Sequence, residues 1–165
     1  MWDACEFFPE EGIEVLRFLS LIKVGDDHKL IMHDQLRDLG REIVRKENNS
    51  EPWNRSRLWD SEVVLEVLEG NKGTSKIEAI RLGLYDGSGS CTTETFKELT
   101  NLRFLQLDDV NLIGDFQNLL PRLRWLAWDG YHLHFELTNF HMKKLVVLNL
   151  SGRVRFRMIG QDLVL

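Results

Sequence analysis

A leucine frame that recurs three times in the second half of the chain constrains the fold more than any other feature. The frame L-x-x-L-x-x-L-x-L occupies residues 99–107 and returns at 120–128 and 142–150, with Trp128 and Met142 each replacing one leucine. The last apolar positions of successive copies lie 21 and 22 residues apart. A period in the low twenties with this frame is typical of leucine-rich repeats, in which each repeat gives one short parallel strand.

The repeat region is predicted to cover residues 73–165. Ile77, Ile80 and Leu82 fit an earlier, shortened copy of the frame, and Asn111 stands where the repeat motif favours Asn or Cys. The later copies have other residues at that position, so the asparagine pattern is imperfect. The alternative interpretation is an unrelated set of apolar strands, and three in-frame copies argue against it.

Residues 1–48 show a different pattern, which predicts a small winged-helix-like unit. Apolar residues at helical spacing predict a helix within 10–20. Two short apolar runs, 21–24 and 29–32, flank a Gly-Asp-Asp-His turn and predict a hairpin. Residues 33–46 then predict an amphipathic helix whose apolar stripe consists of three residues. These are Leu36, Leu39 and Ile43.

Residues 49–72 are predicted to form a linker and a helix. The polar run before Pro52 breaks the preceding helix. Asp60 and Ser61 can cap a helix over 62–69, and Gly70 can end it. The predicted fold class is therefore α/β: a small winged-helix-like unit followed by the first turns of a leucine-rich-repeat solenoid.

Composition limits the classes of function. The chain of 165 residues is 43% hydrophobic, which is ordinary for a globular protein. Its formal net charge of −5 disfavours general binding to nucleic acid or to a membrane surface, because both need a basic excess. Four acidic residues within the first eleven argue against a signal peptide. The only two cysteines, Cys5 and Cys91, match no metal or redox spacing and predict reduced thiols in an intracellular protein.

No residue pattern predicts catalysis, so we expect that the chain is not an enzyme. Neither a Ser-His-Asp, a Cys-His nor a paired-carboxylate arrangement can be argued from spacing. The histidines at 132, 134 and 141 lack a Cys or carboxylate partner at metal-ligand spacing, so surface histidines are the favoured interpretation. Trp125, Trp128, Tyr131 and Phe135 are candidates for a recognition surface, although Trp128 holds a core position of the repeat frame.

Four segments together resemble the TIR-type nucleotide-binding leucine-rich-repeat (NLR) disease resistance proteins of plants. They are 19–22 (LSLI), 32–44 (MHDQLRDLGREIV), 55–59 (RSRLW) and 73–82 (GTSKIEAIRL). The second segment resembles the family's MHD motif and its helix, and the third resembles the linker motif before the repeats. Their order and spacing agree with the family over roughly residues 1–150. Gln35 and Trp53 depart from the usual pattern, and residues 153–157 lose the repeat frame.

The resemblance assigns roles to His33 and Asp34. It implies that His33 lies near the β-phosphate of bound ADP in the full receptor and helps to keep the receptor off. It also implies that Asp34 supports this turn by capping the helix. No G-x-x-x-x-G-K-[ST] loop occurs in the chain, so no cofactor is expected for the chain alone, whereas ADP or ATP belongs to the full-length family. From the residues alone, Asp34 is a simple cap and His33 a surface residue.

The resemblance further implies a regulatory and interaction segment with a role in defence response and signal transduction. Its expected partners are the receptor's own nucleotide-binding domain and a pathogen effector or guarded host protein, in the cytoplasm or the nucleus. One alternative is a nucleic-acid-binding winged helix with protein-binding repeats. The helix over 33–46 mixes basic with acidic residues, which argues against that alternative. An inactive truncated gene product is the other alternative.

Overall fold

A computed structural model describes residues 10–25, 30–84, 89–130, 134–152 and 155–159, with only the backbone described at 134–138, 152 and 155–159. The chain divides into two units, Met1–Asn49 and Ser50–Leu165. Each unit is described by itself below.

The first unit has the predicted order of helix, hairpin and helix. Helix α1 spans Glu10–Phe18, strands β1 (Ile22–Val24) and β2 (Leu30–Met32) pair antiparallel, and helix α2 spans Asp34–Glu47. Ile22 lies opposite Met32 in this hairpin. The two short apolar runs therefore form paired strands, as the sequence predicted.

The apolar stripe of α2 is only partly covered. Leu36 is half-buried, whereas the side chains of Leu39 and Ile43 are 56% and 59% exposed. Val44 is the buried residue of this helix, and Ile22 is the buried residue of the hairpin. Most of the amphipathic face that the 3.6-residue period predicts is thus open within the described residues.

The second unit begins with a short 3₁₀ helix, Pro52–Asn54, followed by strand β3 (Arg57–Leu58) and helix α3 (Ser61–Glu69). The carboxylate of Asp60 accepts a hydrogen bond from the Glu62 amide at 3.2 Å, which caps α3 as predicted. Gly70 ends the helix, and its amide donates to the Glu66 carbonyl at 3.0 Å. Capping satisfies backbone groups that a helix terminus otherwise leaves without partners.

Five parallel strands form the main sheet, in the order β10-β8-β6-β4-β3. After β3 these strands are β4 (Ala79–Gly83), β6 (Phe104–Asp108), β8 (Trp125–Gly130) and β10 (Val147–Gly152). From β4 to β10, neighbouring strands come from successive copies of the leucine frame. The frame is in register across the sheet: Leu105 of β6 lies opposite Leu126 of β8 and Ile80 of β4.

The inward side of this sheet forms the core of the second unit. Successive side chains of a strand point to opposite faces, so the apolar frame positions share one face. Trp128 is 1% exposed, and its indole N–H donates to the Val110 carbonyl at 2.9 Å, which satisfies its buried polar atom. The other fully buried frame residues behind the sheet are Ile77, Leu82, Leu99, Leu102, Leu105, Leu107, Leu123 and Leu126.

Two smaller parallel pairs complete the described strands. Strand β5 (Ser90–Thr92) pairs with β7 (Asn111–Ile113), and β9 (His134–Thr138) pairs with β11 (Arg155–Ile159). A second 3₁₀ helix, Thr93–Phe96, follows β5. Gly114 follows β7 with a φ of +134°, and a Cβ there would clash with the Thr93 hydroxyl oxygen. This close approach requires glycine.

The mixed α/β class is confirmed. The described strands fall into four sheets, three of them two-stranded, rather than one continuous coil, so the leucine-rich-repeat solenoid stays a prediction. Among the described helices, none combines the length and the apolar character that a membrane crossing requires.

Candidate functional site

His33 lies at the junction between β2 and α2. Its backbone is extended, with φ −63° and ψ 141°, and its carbonyl accepts the amides of Leu36 and Arg37 at 3.0 and 3.1 Å. Its ring Nδ1 accepts a hydrogen bond from the Gln35 amide at 3.3 Å. His33 therefore occupies the N-cap position of α2 and satisfies one of the amides that the first turn leaves open.

The cap predicted at Asp34 is wrong, because Asp34 is the first residue inside α2. Its backbone is already helical, and its carboxylate forms an ion pair with Arg37 one turn later. A residue with helical backbone cannot fold its side chain back to the first amides as an N-cap does. The capping role thus belongs to His33, and Asp34 holds Arg37 instead.

The capping contact determines which ring nitrogen of His33 can bind a ligand. A neutral imidazole with Nδ1 as acceptor has its proton on Nε2, so Nε2 is a hydrogen-bond donor. His33 is exposed. A donor at the N-terminus of a helix suits an anion, since the helix dipole attracts negative charge there. The His33 side chain thus fits a phosphate group.

The charge of Asp34 opposes an anion at this position, and Arg37 offsets it. A carboxylate next to a phosphate costs binding energy through like-charge repulsion, and an adjacent guanidinium reduces that cost. Both side chains are largely exposed, so the pair itself contributes little to stability.

The remaining basic residues of α2 also face acids one turn away. Arg41 lies 3.4 Å from the Asp38 carboxylate, and Glu42 lies 3.9 Å from both Arg45 and Lys46. This matching of charges leaves the helix without the basic excess by which recognition helices attract the nucleic-acid backbone.

The main sheet presents a second candidate surface, which we call the outer sheet face. It consists of the strand residues that alternate with the buried frame positions: Ala79, Arg81, Gly83, Phe104, Gln106, Asp108, Trp125, Ala127, Asp129, Val147, Asn149 and Ser151. Of the aromatic residues predicted for recognition, Trp125 is half-buried on this face and Trp128 belongs to the core. Tyr131 lies outside the described residues, as does the side chain of Phe135.

The structure gives no support for a metal site among the described residues, where no three His, Cys, Asp or Glu side chains cluster suitably. His132 and the side chain of His134 lie outside the described part, and His141 is exposed. Cys91 is a buried free thiol in β5. Burial raises the pKa of the Cys91 thiol, and the negative charge of Glu69 raises it further.

Comparison with known proteins finds similarity to plant disease resistance proteins. Residues 1–48 match the family described as "Disease resistance protein Roq1-like, winged-helix domain". The chain is 35% identical over 156 residues to disease resistance protein RPP2A of Arabidopsis thaliana, with 90% of the chain and 12% of the relative covered. It is 33% identical over 193 residues to disease resistance protein RUN1 of Vitis rotundifolia, with 98% and 14% covered. These matches support a plant NLR disease resistance family for the chain.

The TMV resistance protein N of Nicotiana glutinosa is a further relative, 28% identical over 148 residues. That alignment covers 90% of the chain and 13% of the relative. No solved structure matches the chain. The matches support a role in plant defence and a winged-helix domain over the residues that contain His33. The chain spans only 12–14% of the length of these relatives.

Proposed function

We propose that the chain is a non-enzymatic regulatory and interaction segment of a TIR-type NLR receptor. In the full receptor, His33 contacts a phosphate of ADP, and this contact favours the off state. A ligand stabilises one conformation only when it binds that conformation better than the other. ADP would supply the negative charge that draws the α2 terminus toward the rest of the nucleotide-binding region.

The geometry of His33 carries this proposal. The Nδ1 contact with the Gln35 amide fixes the ring at the start of α2 and leaves Nε2 as an exposed donor. Arg37 offsets the charge of Asp34 beside it. The exposed donor suits an anion, and the pairing of Arg37 with Asp34 lowers the cost of placing one there. The resemblance of residues 32–44 to the MHD motif implies that this anion is a nucleotide phosphate.

The second unit supplies the interaction part of the proposal. We propose that residues 73–165 are the N-terminal part of a leucine-rich-repeat array. The parallel strands that follow one another in register at repeat spacing support this assignment. Such an array would contact the receptor's own nucleotide-binding domain or an effector protein, in the cytoplasm or the nucleus.

The experiment that tests the switch compares two aspartates of α2 in a full-length receptor that contains this segment. Asp34 and Asp38 each pair with an arginine three residues later, so Asp34→Val and Asp38→Val remove equivalent surface pairs. Asp34→Val removes a like charge, but it also releases Arg37, the cation that Asp34 holds beside the start of α2. We expect the second effect to dominate, so that the off state weakens and effector-independent cell death follows in transient leaf expression. Asp38→Val, one turn further from His33, should leave the receptor silent. His33→Ala should resemble Asp34→Val and also lower the ADP content of the purified receptor.

An unchanged ADP content in His33→Ala, or equal activity of the two aspartate variants, would remove the basis for phosphate sensing. Protein levels measured by immunoblot are the control, because a variant that fails to accumulate could also be silent.

A further inference from the structure

The register of the main sheet sorts the outer sheet face into rows. Ala79, Phe104, Trp125 and Val147 lie opposite one another on four successive strands, and we call this set the apolar row. All four side chains are half-buried. Aromatic side chains of this exposure supply large contact area at low entropic cost, and they are enriched where proteins bind one another.

An acidic row lies four residues further along the same strands. It contains Asp108 and Asp129, which are register partners on β6 and β8. Asp108 is already neutralised: it lies 3.1 Å from the Arg81 guanidinium and accepts the Gln106 amide at 3.0 and 3.2 Å. Asp129 is exposed, and none of the described side chains forms an ion pair with it.

Strand β8 therefore presents an apolar anchor, a small residue and an acid on one face. Trp125, Ala127 and Asp129 all point outward, since residues two apart in a strand share a face. At roughly 3.3 Å per residue, Trp125 and Asp129 lie about 13 Å apart. Ala127, which lies between them, has a short side chain, so an extended backbone can lie against the sheet there without a clash.

We propose that the outer sheet face binds an extended segment of a partner protein that carries a lysine or arginine about four residues from a large apolar side chain. The apolar side chain packs on Phe104 and Trp125, and the cation pairs with Asp129. This inference rests on the proposed interaction function and specifies its partner. A nucleic acid does not fit, because the exposed carboxylate of Asp129 repels phosphates.

The test uses the full chain and a displayed library of short random peptides as the probe. Selection should enrich peptides that combine Lys or Arg with Trp, Phe or Leu at the stated spacing. Trp125→Ala should weaken an enriched peptide by about tenfold or more, as expected for a central aromatic. Asp129→Asn should weaken it by about two- to fivefold, as expected for an exposed charge pair. Glu98→Gln is the matched control, since it removes one exposed acid outside the sheet and should leave the affinity unchanged.

Added salt provides a second measurement for the charge pair. It should weaken peptide binding to the wild type more than to Asp129→Asn, because salt screens the pair that only the wild type forms. Circular dichroism of the variants distinguishes a lost contact from a lost fold.

Three outcomes would overturn the proposal: enrichment of acidic peptides, no enrichment at all, or affinities that both substitutions leave unchanged. None of them bears on phosphate sensing, which the aspartate pair of α2 tests separately. Conversely, a silent Asp34→Val receptor would count against the switch and leave the peptide measurement intact.

Discussion

The two units of this chain differ in how far their apolar residues are buried. Among the described residues, the first unit buries Ile22 and Val44, while nine large apolar side chains are exposed. The second unit buries most frame residues, and of its large apolar side chains that the structure describes, only Ile113, Val146 and the frame residue Leu150 are exposed. Both units have clear apolar periodicity, so periodicity alone does not determine burial.

The difference follows from which element covers the apolar face in each unit. A repeat strand lies beside the next copy of its own sequence, so the frame supplies both sides of its core. A short helix with a hairpin supplies one side only, and its apolar stripe must find cover elsewhere or stay open. Exposed apolar surface of this extent typically marks an interaction face.

The strongest test of this contrast replaces one leucine in each unit. Leu105→Ala removes a fully buried frame residue and should lower the free energy of unfolding by about 2–5 kcal/mol. Leu39→Ala removes a side chain that is 56% exposed and should cost less than about 0.5 kcal/mol. Hydrogen exchange in urea, read peptide by peptide, measures the two units separately. Equal costs would show that Leu39 is covered in solution.

The helix caps offer the next largest difference. Asp60→Ala removes the carboxylate that caps α3 and should cost about 1 kcal/mol. His33→Ala removes a longer contact of 3.3 Å, in a unit with a small core, and should cost only a few tenths of a kcal/mol. Exchange protection of the first-turn amides in α3 and α2 reports each cap. A larger loss at His33 would mean that its role is mainly structural, which would weaken the phosphate proposal.

Surface charge pairs should differ less. Lys72 lies 2.7 Å from the Glu66 carboxylate and 4.7 Å from the centre of the Trp53 ring, so Lys72→Ala should cost about 0.5–1 kcal/mol. Arg41→Ala breaks a 3.4 Å pair with Asp38 and should cost about 0.3 kcal/mol. Urea midpoints at low and high salt are the measurement. The loss of stability caused by each substitution should shrink at high salt, because salt screens the pair in the unsubstituted chain. A larger loss for Arg41→Ala than for Lys72→Ala would contradict the ranking.

The smallest expected effect is the pH dependence that Cys91 contributes. Burial, and then Glu69, raise the pKa of its thiol above the ordinary value of 9.0 in the folded chain. A raised folded pKa means that the neutral thiol is favoured on folding, so the contribution is full below pH 9 and is lost as the pH rises through the folded pKa. Cys5→Ser provides a chain with one cysteine. Its urea midpoint should fall above pH 9, and the further change Cys91→Ala should remove that fall.

Much of the second unit could be predicted because its signals are local and repeated. The frame positions gave the buried residues of β6 and β8, and Asp60 with Gly70 gave both ends of α3. Strand β3 could not be found, because two residues, Arg57 and Leu58, carry no periodicity. The strand pair formed by β5 and β7 was missed for the same reason, since three residues in each strand do not establish alternation.

The candidate site was predicted in position but not in detail. The sequence placed His33 and Asp34 at the start of a helix, which is correct within one residue. Propensity favours aspartate over histidine as an N-cap, so sequence reasoning chose Asp34. The extended backbone of His33 decides otherwise, and it depends on the hairpin that ends at Met32. The roles of neighbouring residues at a helix start thus depend on where the strand before them stops.

The alternation along β6 and β8 also separates inheritance of the fold from inheritance of the surface. Leu105 and Leu126 lie in the core, so substitutions there destabilise the fold. Gln106 and Ala127 lie on the outer sheet face, where substitutions cost little in folding free energy. An unequal exchange that adds or removes one whole copy of the frame keeps this division, while a single inserted codon within a strand reverses it. A lineage can therefore diversify the outer sheet face rapidly through point changes and whole-copy gains, without searching for a new fold.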